Sequence, residues 1–164
     1  MKLAVFLHGT TIMHRSAVGR PREERVQQVR RREASVRDFA AYVPIGDCVH
    51  KLSTWSEQGA YLIYLSSHKR PEDVELDQVV LTTYGFPAGQ VVFRFPGESY
   101  QSMARRVSPD VLIEDDCESI GGEQEMIFPH LRPDLQGKVI SIVVKEFEGI
   151  DHLPDDAIAL MNMR

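Results

Sequence analysis

Four short apolar runs constrain this chain most: Leu3–Leu7, Tyr61–Leu65, Val111–Ile113 and the β-branched Val139–Val144. None alternates apolar with polar residues. Unalternating runs of this length suit strands buried on both faces, the environment of a parallel sheet. Three of them end in polar residues: His8-Gly9-Thr10, Ser66-Ser67-His68 and Glu114-Asp115-Asp116.

The intervening segments read as helices. Pro21 sits where a first helical residue would, opening a charged helix over Arg22–Arg32 with few apolar positions. Ser35 is a candidate cap for a short helix over Val36–Tyr42, broken by Pro44 and Gly46. Asp47 is placed to cap a helix running to Gln58, with Gly59 at its end. Pro71 opens another helix that closes near Tyr84-Gly85. A short strand over Gln90–Phe95, a helix over Glu98–Val107, a glycine turn at Ser119–Gly122 with a brief helix after it, and a terminal helix over Pro154–Met161 complete the pattern. Strands alternating with helices predict an α/β three-layer sandwich with a mostly parallel sheet and right-handed crossovers.

Length and composition bound the rest. The 164 residues suit a single domain with a full-sized core. A net charge of -5 argues against a generic nucleic-acid binder, because phosphate backbones are held mainly by cations. Two distant cysteines, Cys48 and Cys117, make neither a disulfide framework nor a metal cluster. Leu3–Leu7 is too short for a signal-peptide core, no run approaches a membrane span, and the expected location is cytoplasmic. One composition shift stands out. Between Arg15 and Asp38 there are eight arginines against four acids, within an Arg-rich insert spanning about 11–46.

In open α/β sheets, ligands bind beyond the carboxyl ends of the strands. His8, Gly9 and Thr10, then Ser66 and Ser67, then Asp115 and Asp116 are therefore expected to converge there. Glu114 should alternate away from Asp115. Each group has a plainer reading as well. Asp115-Asp116 would cap a following turn, Ser66-Ser67 would satisfy turn amides, and His8 would hydrogen-bond within its loop. His14, His50, His130 and His152 share no spacing and read as structural or solvated. Reactivity at Cys117 would require a lowered thiol pKa.

The sequence Phe6-Leu7-His8-Gly9-Thr10, the strand with Ser66, the Pro71-led helix followed by Gly85-Phe86-Pro87 and a strand, and the acids at 115–116 together resemble the haloacid dehalogenase-like superfamily. That superfamily consists mostly of phosphatases with a Rossmann-like sheet. The resemblance spans most of residues 1–150. It implies that Gly9, Thr10, Ser66 and Ser67 contact a phosphoryl group, with Lys69, Arg70, Arg105 or Arg106 as neutralising cations. It also implies that Asp115 and Asp116 hold a divalent metal. The family's first motif reads Asp-x-Asp-Gly-Thr. Here Phe6 replaces the nucleophile and His8 the acid/base. A phenyl ring neither attacks phosphorus nor binds a cation, so aspartyl-phosphate turnover is not expected. Imidazole does acid/base work near neutrality, and suits Zn²⁺ or Mn²⁺ better than Mg²⁺.

Three functions follow as expectations. The first is a degenerate domain binding a phosphorylated small molecule. The second is a divergent metal-dependent phosphohydrolase using His8 with Asp115 and Asp116. The third is an interaction module docking an acidic partner through the Arg-rich insert, with Arg15, Arg20 and Arg22 nearest the strand end. The insert helix is also a candidate homo-oligomer interface. The polar loop Lys145–Pro154 either covers the pocket mouth or ends the fold.

Overall fold

A computed structural model describes residues 1–163. Five strands form one parallel sheet: β1 (Lys2–Phe6), β4 (Tyr61–Leu65), β5 (Gln90–Val92), β6 (Val111–Asp115) and β7 (Ile140–Val144). Their spatial order is β5-β4-β1-β6-β7. Leu3 lies opposite Leu62 on one side and Val111 on the other. From β1 the chain moves outward to β4 and β5, then returns to lay β6 and β7 on the opposite side. The topological switch therefore falls between β1 and β6, where such sheets bind ligands.

Helices cover both faces, which makes this a Rossmann-like α/β sandwich. Alternate residues of β1 enter different cores. Leu3 and Val5 pack with Cys48, Leu52 and Trp55 of α2 (Cys48–Glu57), Val80 and Leu81 of α3 (Pro71–Thr83), and Leu160 of α6 (Ala157–Leu160). Ala4 and Phe6 pack with Met103 and Val107 of α4 (Tyr100–Val107), and with Leu131 just before α5 (Pro133–Gln136). Burial on both faces explains why these strands are unbroken apolar runs. Among the described residues, no helix is long and apolar enough to cross a membrane.

Residues 11–46 form a small lobe at the carboxyl edge of the sheet. It contains α1 (Arg22–Arg30), several 3-10 turns, and an antiparallel ribbon of β2 (Ile12–Met13) and β3 (Val43–Pro44). Met13, Ala17, Val26, Val43 and Ile45 make its own core with Phe147.

The lobe is also where the sequence expectation needs correction. No α-helix spans 36–42. Two 3-10 turns, Ala34–Arg37 and Phe39–Ala41, take its place. Ser35 does not cap them, because its hydroxyl accepts the Ser16 amide at 3.1 Å. Asp38, at φ −84° and ψ 70°, separates the two turns. Asp47 makes no side-chain cap for α2 either; its amide is bound instead by the Asp151 carboxylate. Helix α4 is capped by Ser99, which accepts the Ser102 amide at 3.1 Å. Strand β5 stops at Val92 rather than continuing to Phe95.

Candidate functional site

A cavity of about 160 Å³ opens beyond the carboxyl ends of β1 and β6. Phe6, His8, Gly9, Ser67, Asp115, Tyr100 and Glu146 contribute to its walls, and His14, Val29, Val36 and Tyr42 of the lobe overhang it. The strand ends that were expected to converge do so here.

The floor is acidic. Oxygen atoms of Asp115, Asp116 and Glu146 all lie within 4.8 Å of one another. Asp115 is held rigidly. One of its oxygens accepts the Thr10 hydroxyl at 2.7 Å and the other the Cys117 amide at 2.9 Å. Glu146 accepts the Ser119 amide at 2.7 Å and the Ser119 hydroxyl at 2.6 Å. Asp116 accepts the Glu146 amide at 3.1 Å. Burial pushes the Asp115 carboxyl up from its usual range. Burial, with Asp115 and Asp116 nearby, pushes Glu146 up to about 7 despite the Ser119 bonds. Such a group is stabilised by a proton or by a cation.

Gly9 makes this close approach feasible. It sits at φ +82°, and a Cβ there would lie 2.9 Å from an Asp115 oxygen. Its carbonyl accepts the Phe147 amide at 2.7 Å, which ties the β1 turn to the loop after β7. Glu114 points away from Asp115 and accepts the amides of Ile127 and Phe128 at 2.7 and 2.9 Å.

A second network lies on the opposite wall. Asp77 of α3 is 1% exposed. One of its oxygens is 2.8 Å from His8 Nε2. The other accepts the Ser66 hydroxyl at 2.6 Å and lies 3.2 Å from His68 Nδ1. The remaining His8 nitrogen, Nδ1, is 2.8 Å from the Ser67 hydroxyl. Burial opposes ionisation of Asp77, but its interactions with His68, His8 and Ser66 hold its carboxyl far below the usual range.

Two clusters could thus hold a metal ion: Asp115/Asp116/Glu146 and His8/His68/Asp77. The acidic trio offers only oxygen, the donor set of a hard cation such as Mg²⁺ or Mn²⁺. In the histidine cluster Asp77 already has three protein partners.

The other expected residues fall elsewhere. Ser66 is buried and committed to Asp77, while Ser67 faces the cavity. Lys69 lines a separate cleft beside Arg94 and Phe95. Arg70 pairs with Asp73 at 2.9 and 3.1 Å, and Arg106 with Glu98 at 2.9 Å. Arg22 does not reach the cavity. Its guanidinium donates to the Glu146 carbonyl at 2.9 Å and to Glu118 at 2.6 Å, and approaches Asp116 at 3.5 Å. Arg25 bonds the Phe147 carbonyl at 2.7 Å and Arg30 the Glu118 carbonyl at 3.0 Å. These arginines fasten the lobe to the loops after β6 and β7. Arg15 and Arg20 are exposed. His14 is buried against Gln28, and burial lowers its pKa. The Cys117 thiol is pushed up by burial, Asp115 and Glu146, the reverse of an activated cysteine.

Sequence reading missed Asp77 and Glu146. Asp77 left a faint signal: an acid between Val74 and Val80 on the apolar face of its helix. Glu146 left none, since it lies in the loop whose position was open. That loop contributes Glu146 and Phe147 to the cavity wall, while its Asp151, Leu153 and Pro154 bond to α2 and the residue before it. No protein-family model and no curated protein matches this chain.

Proposed function

We propose that the cavity is a divalent-cation site at which a phosphorylated small molecule is held through the cation, in a divergent haloacid dehalogenase-like domain without aspartyl-phosphate turnover. The convergence of Asp115, Asp116 and Glu146 beside Thr10 carries this reading. Four acidic residues line the cavity, Glu114, Asp115, Glu125 and Glu146, and among the described residues no Lys or Arg does. A phosphate entering alone would meet like charge. A bound cation would supply the positive charge that phosphoryl oxygens require. Thr10 and the Cys117 amide orient Asp115 for that role, and Ser119 orients Glu146. Phe6, where the resemblance places the nucleophile, packs edge-on against Tyr100 at 6.3 Å and contributes only apolar wall.

A second reading has its own support. His8 is backed by a buried carboxylate at 2.8 Å, the arrangement of a general base. On this reading His8 activates water against the held phosphoryl group.

One experiment separates them. Binding of inorganic phosphate and turnover of a phosphomonoester panel are measured with Mg²⁺ or Mn²⁺ and with EDTA, for the wild type, Asp115→Asn and His8→Ala. Phosphate binding that needs the cation, is lost in Asp115→Asn and comes without turnover is the expected result. Cation-dependent turnover lost in His8→Ala selects the second reading. Phosphate binding of equal strength in EDTA overturns both.

A further inference from the structure

The Ser67–His8–Asp77 chain stands apart from the acidic trio that carries the cation reading. Its geometry suits one tautomer of His8. Asp77 accepts the Ser66 hydroxyl and lies within 3.2 Å of ring nitrogens of both His68 and His8, a setting that favours an ionised acceptor with no proton to donate. His8 then donates to it through Nε2. A neutral imidazole that donates through Nε2 presents a lone pair at Nδ1. Nδ1 lies 2.8 Å from the Ser67 hydroxyl, which is thus the donor. Ser67 is the second residue after strand β4, is exposed, and faces the cavity. Its neighbour Ser66 is buried and braces Asp77. Two adjacent serines thus hold opposite positions: one supports the carboxylate, the other is offered to a ligand.

We propose that Ser67 is a nucleophile activated by His8 and oriented through Asp77, giving the protein a serine-dependent esterase activity on small uncharged esters. Relative to the serine-protease arrangement the imidazole is turned round, with Nδ1 toward the hydroxyl and Nε2 toward the carboxylate. Either ring nitrogen is basic when the other carries the proton, so the turned imidazole can still take the hydroxyl proton. Ser67 Oγ adds to the ester carbonyl carbon while its proton passes to His8 Nδ1. The carbon–alkoxy bond then breaks, and the leaving oxygen takes that proton to depart as an alcohol. Water adds to the acyl-Ser67 ester, giving its proton to Nδ1. Collapse returns the proton to Ser67 Oγ and frees the acid. No oxidant, reductant or metal enters the balance.

The walls indicate the substrate class. Phe6, Val29, Val36, Tyr42, Tyr100 and Phe147 form an apolar surround around about 160 Å³, room for a short acyl chain. The four acidic residues of the cavity disfavour an anionic acyl group. The activity goes beyond the cation-site reading and does not depend on it, so it is tested in EDTA.

The protein is treated with a fluorophosphonate, whose phosphorus is attacked by an activated serine with loss of fluoride. The adduct is mapped by mass spectrometry, and p-nitrophenyl acetate hydrolysis is followed in parallel. A single adduct on Ser67 and a burst of p-nitrophenol are expected. Ser67→Ala, an exposed and fold-neutral change, should abolish both. His8→Gln should slow labelling by at least roughly 100-fold. No adduct on Ser67 in the wild type, or a burst that persists in Ser67→Ala, overturns the proposal. So does labelling of folded His8→Gln at the wild-type rate, which would mark Ser67 as an ordinary surface hydroxyl.

Discussion

Glu146 carries an acid–base consequence that can be measured without any ligand. Its carboxyl, raised to about 7 by burial, ordinarily titrates near 4.3 in an unfolded chain. Between those values the folded protein holds a proton that the unfolded chain has lost. Stability should therefore fall as pH rises through this window, by on the order of 3 kcal/mol if Glu146 acts alone. Thermal melts of the cation-free protein between pH 5 and pH 8 read the slope directly, and Glu146→Gln should flatten it. An unchanged slope in that variant would assign the effect to other groups. Gly9 makes a second residue-level prediction. Alanine there brings both a left-handed backbone and a Cβ 2.9 Å from Asp115. Gly9→Ala should cost about 1–2 kcal/mol in urea unfolding and weaken Mn²⁺ binding as Asp115 shifts.

The elements differ in how they are secured. Helix α2 is held by burial: Trp55 is fully buried in the larger core, and its indole N–H donates to the Pro154 carbonyl at 2.9 Å. Trp55→Ala should cost about 3–5 kcal/mol, seen as a lower urea midpoint. Helix α1 is held by polar ties as well as its small core. Arg22→Ala removes the bonds to Glu118 and the Glu146 carbonyl. Amide exchange should then accelerate across 12–45 while the central sheet stays protected. Equal acceleration in β1 would show that lobe and sheet unfold as one unit. Legibility in the sequence follows the same division. The parallel strands were legible because burial on both faces writes an unbroken apolar run. The β2–β3 ribbon was not, because two residue pairs, one containing Pro44, are too few to show a period. Asp77 and Glu146 acquire meaning only from partners distant in sequence: His8 lies 69 positions from Asp77, and Ser119 lies 27 from Glu146.

At the scale of the whole molecule, cation binding and folding are linked. A cation that binds only the folded chain should raise stability by about 2.7 kcal/mol at a concentration 100 times its dissociation constant. Mn²⁺ should therefore raise the melting temperature of the wild type and leave Asp115→Asn unmoved. The gain should be larger at pH 8 than at pH 5, where Glu146 retains its proton.

The central place of β1 also has a consequence in time. The strand is synthesised before both of its neighbours, yet its Lys2 amide waits for Asp110, 108 positions later. At roughly 5–20 residues per second on the ribosome, that flank stays without its partner for about 5–20 s. Through this interval β1 can pair only with β4, and the cavity has no acidic floor. Ribosome-arrested chains that end before Val111 should accordingly remain open to protease at Leu3–Leu7, and become resistant once β6 has cleared the exit tunnel.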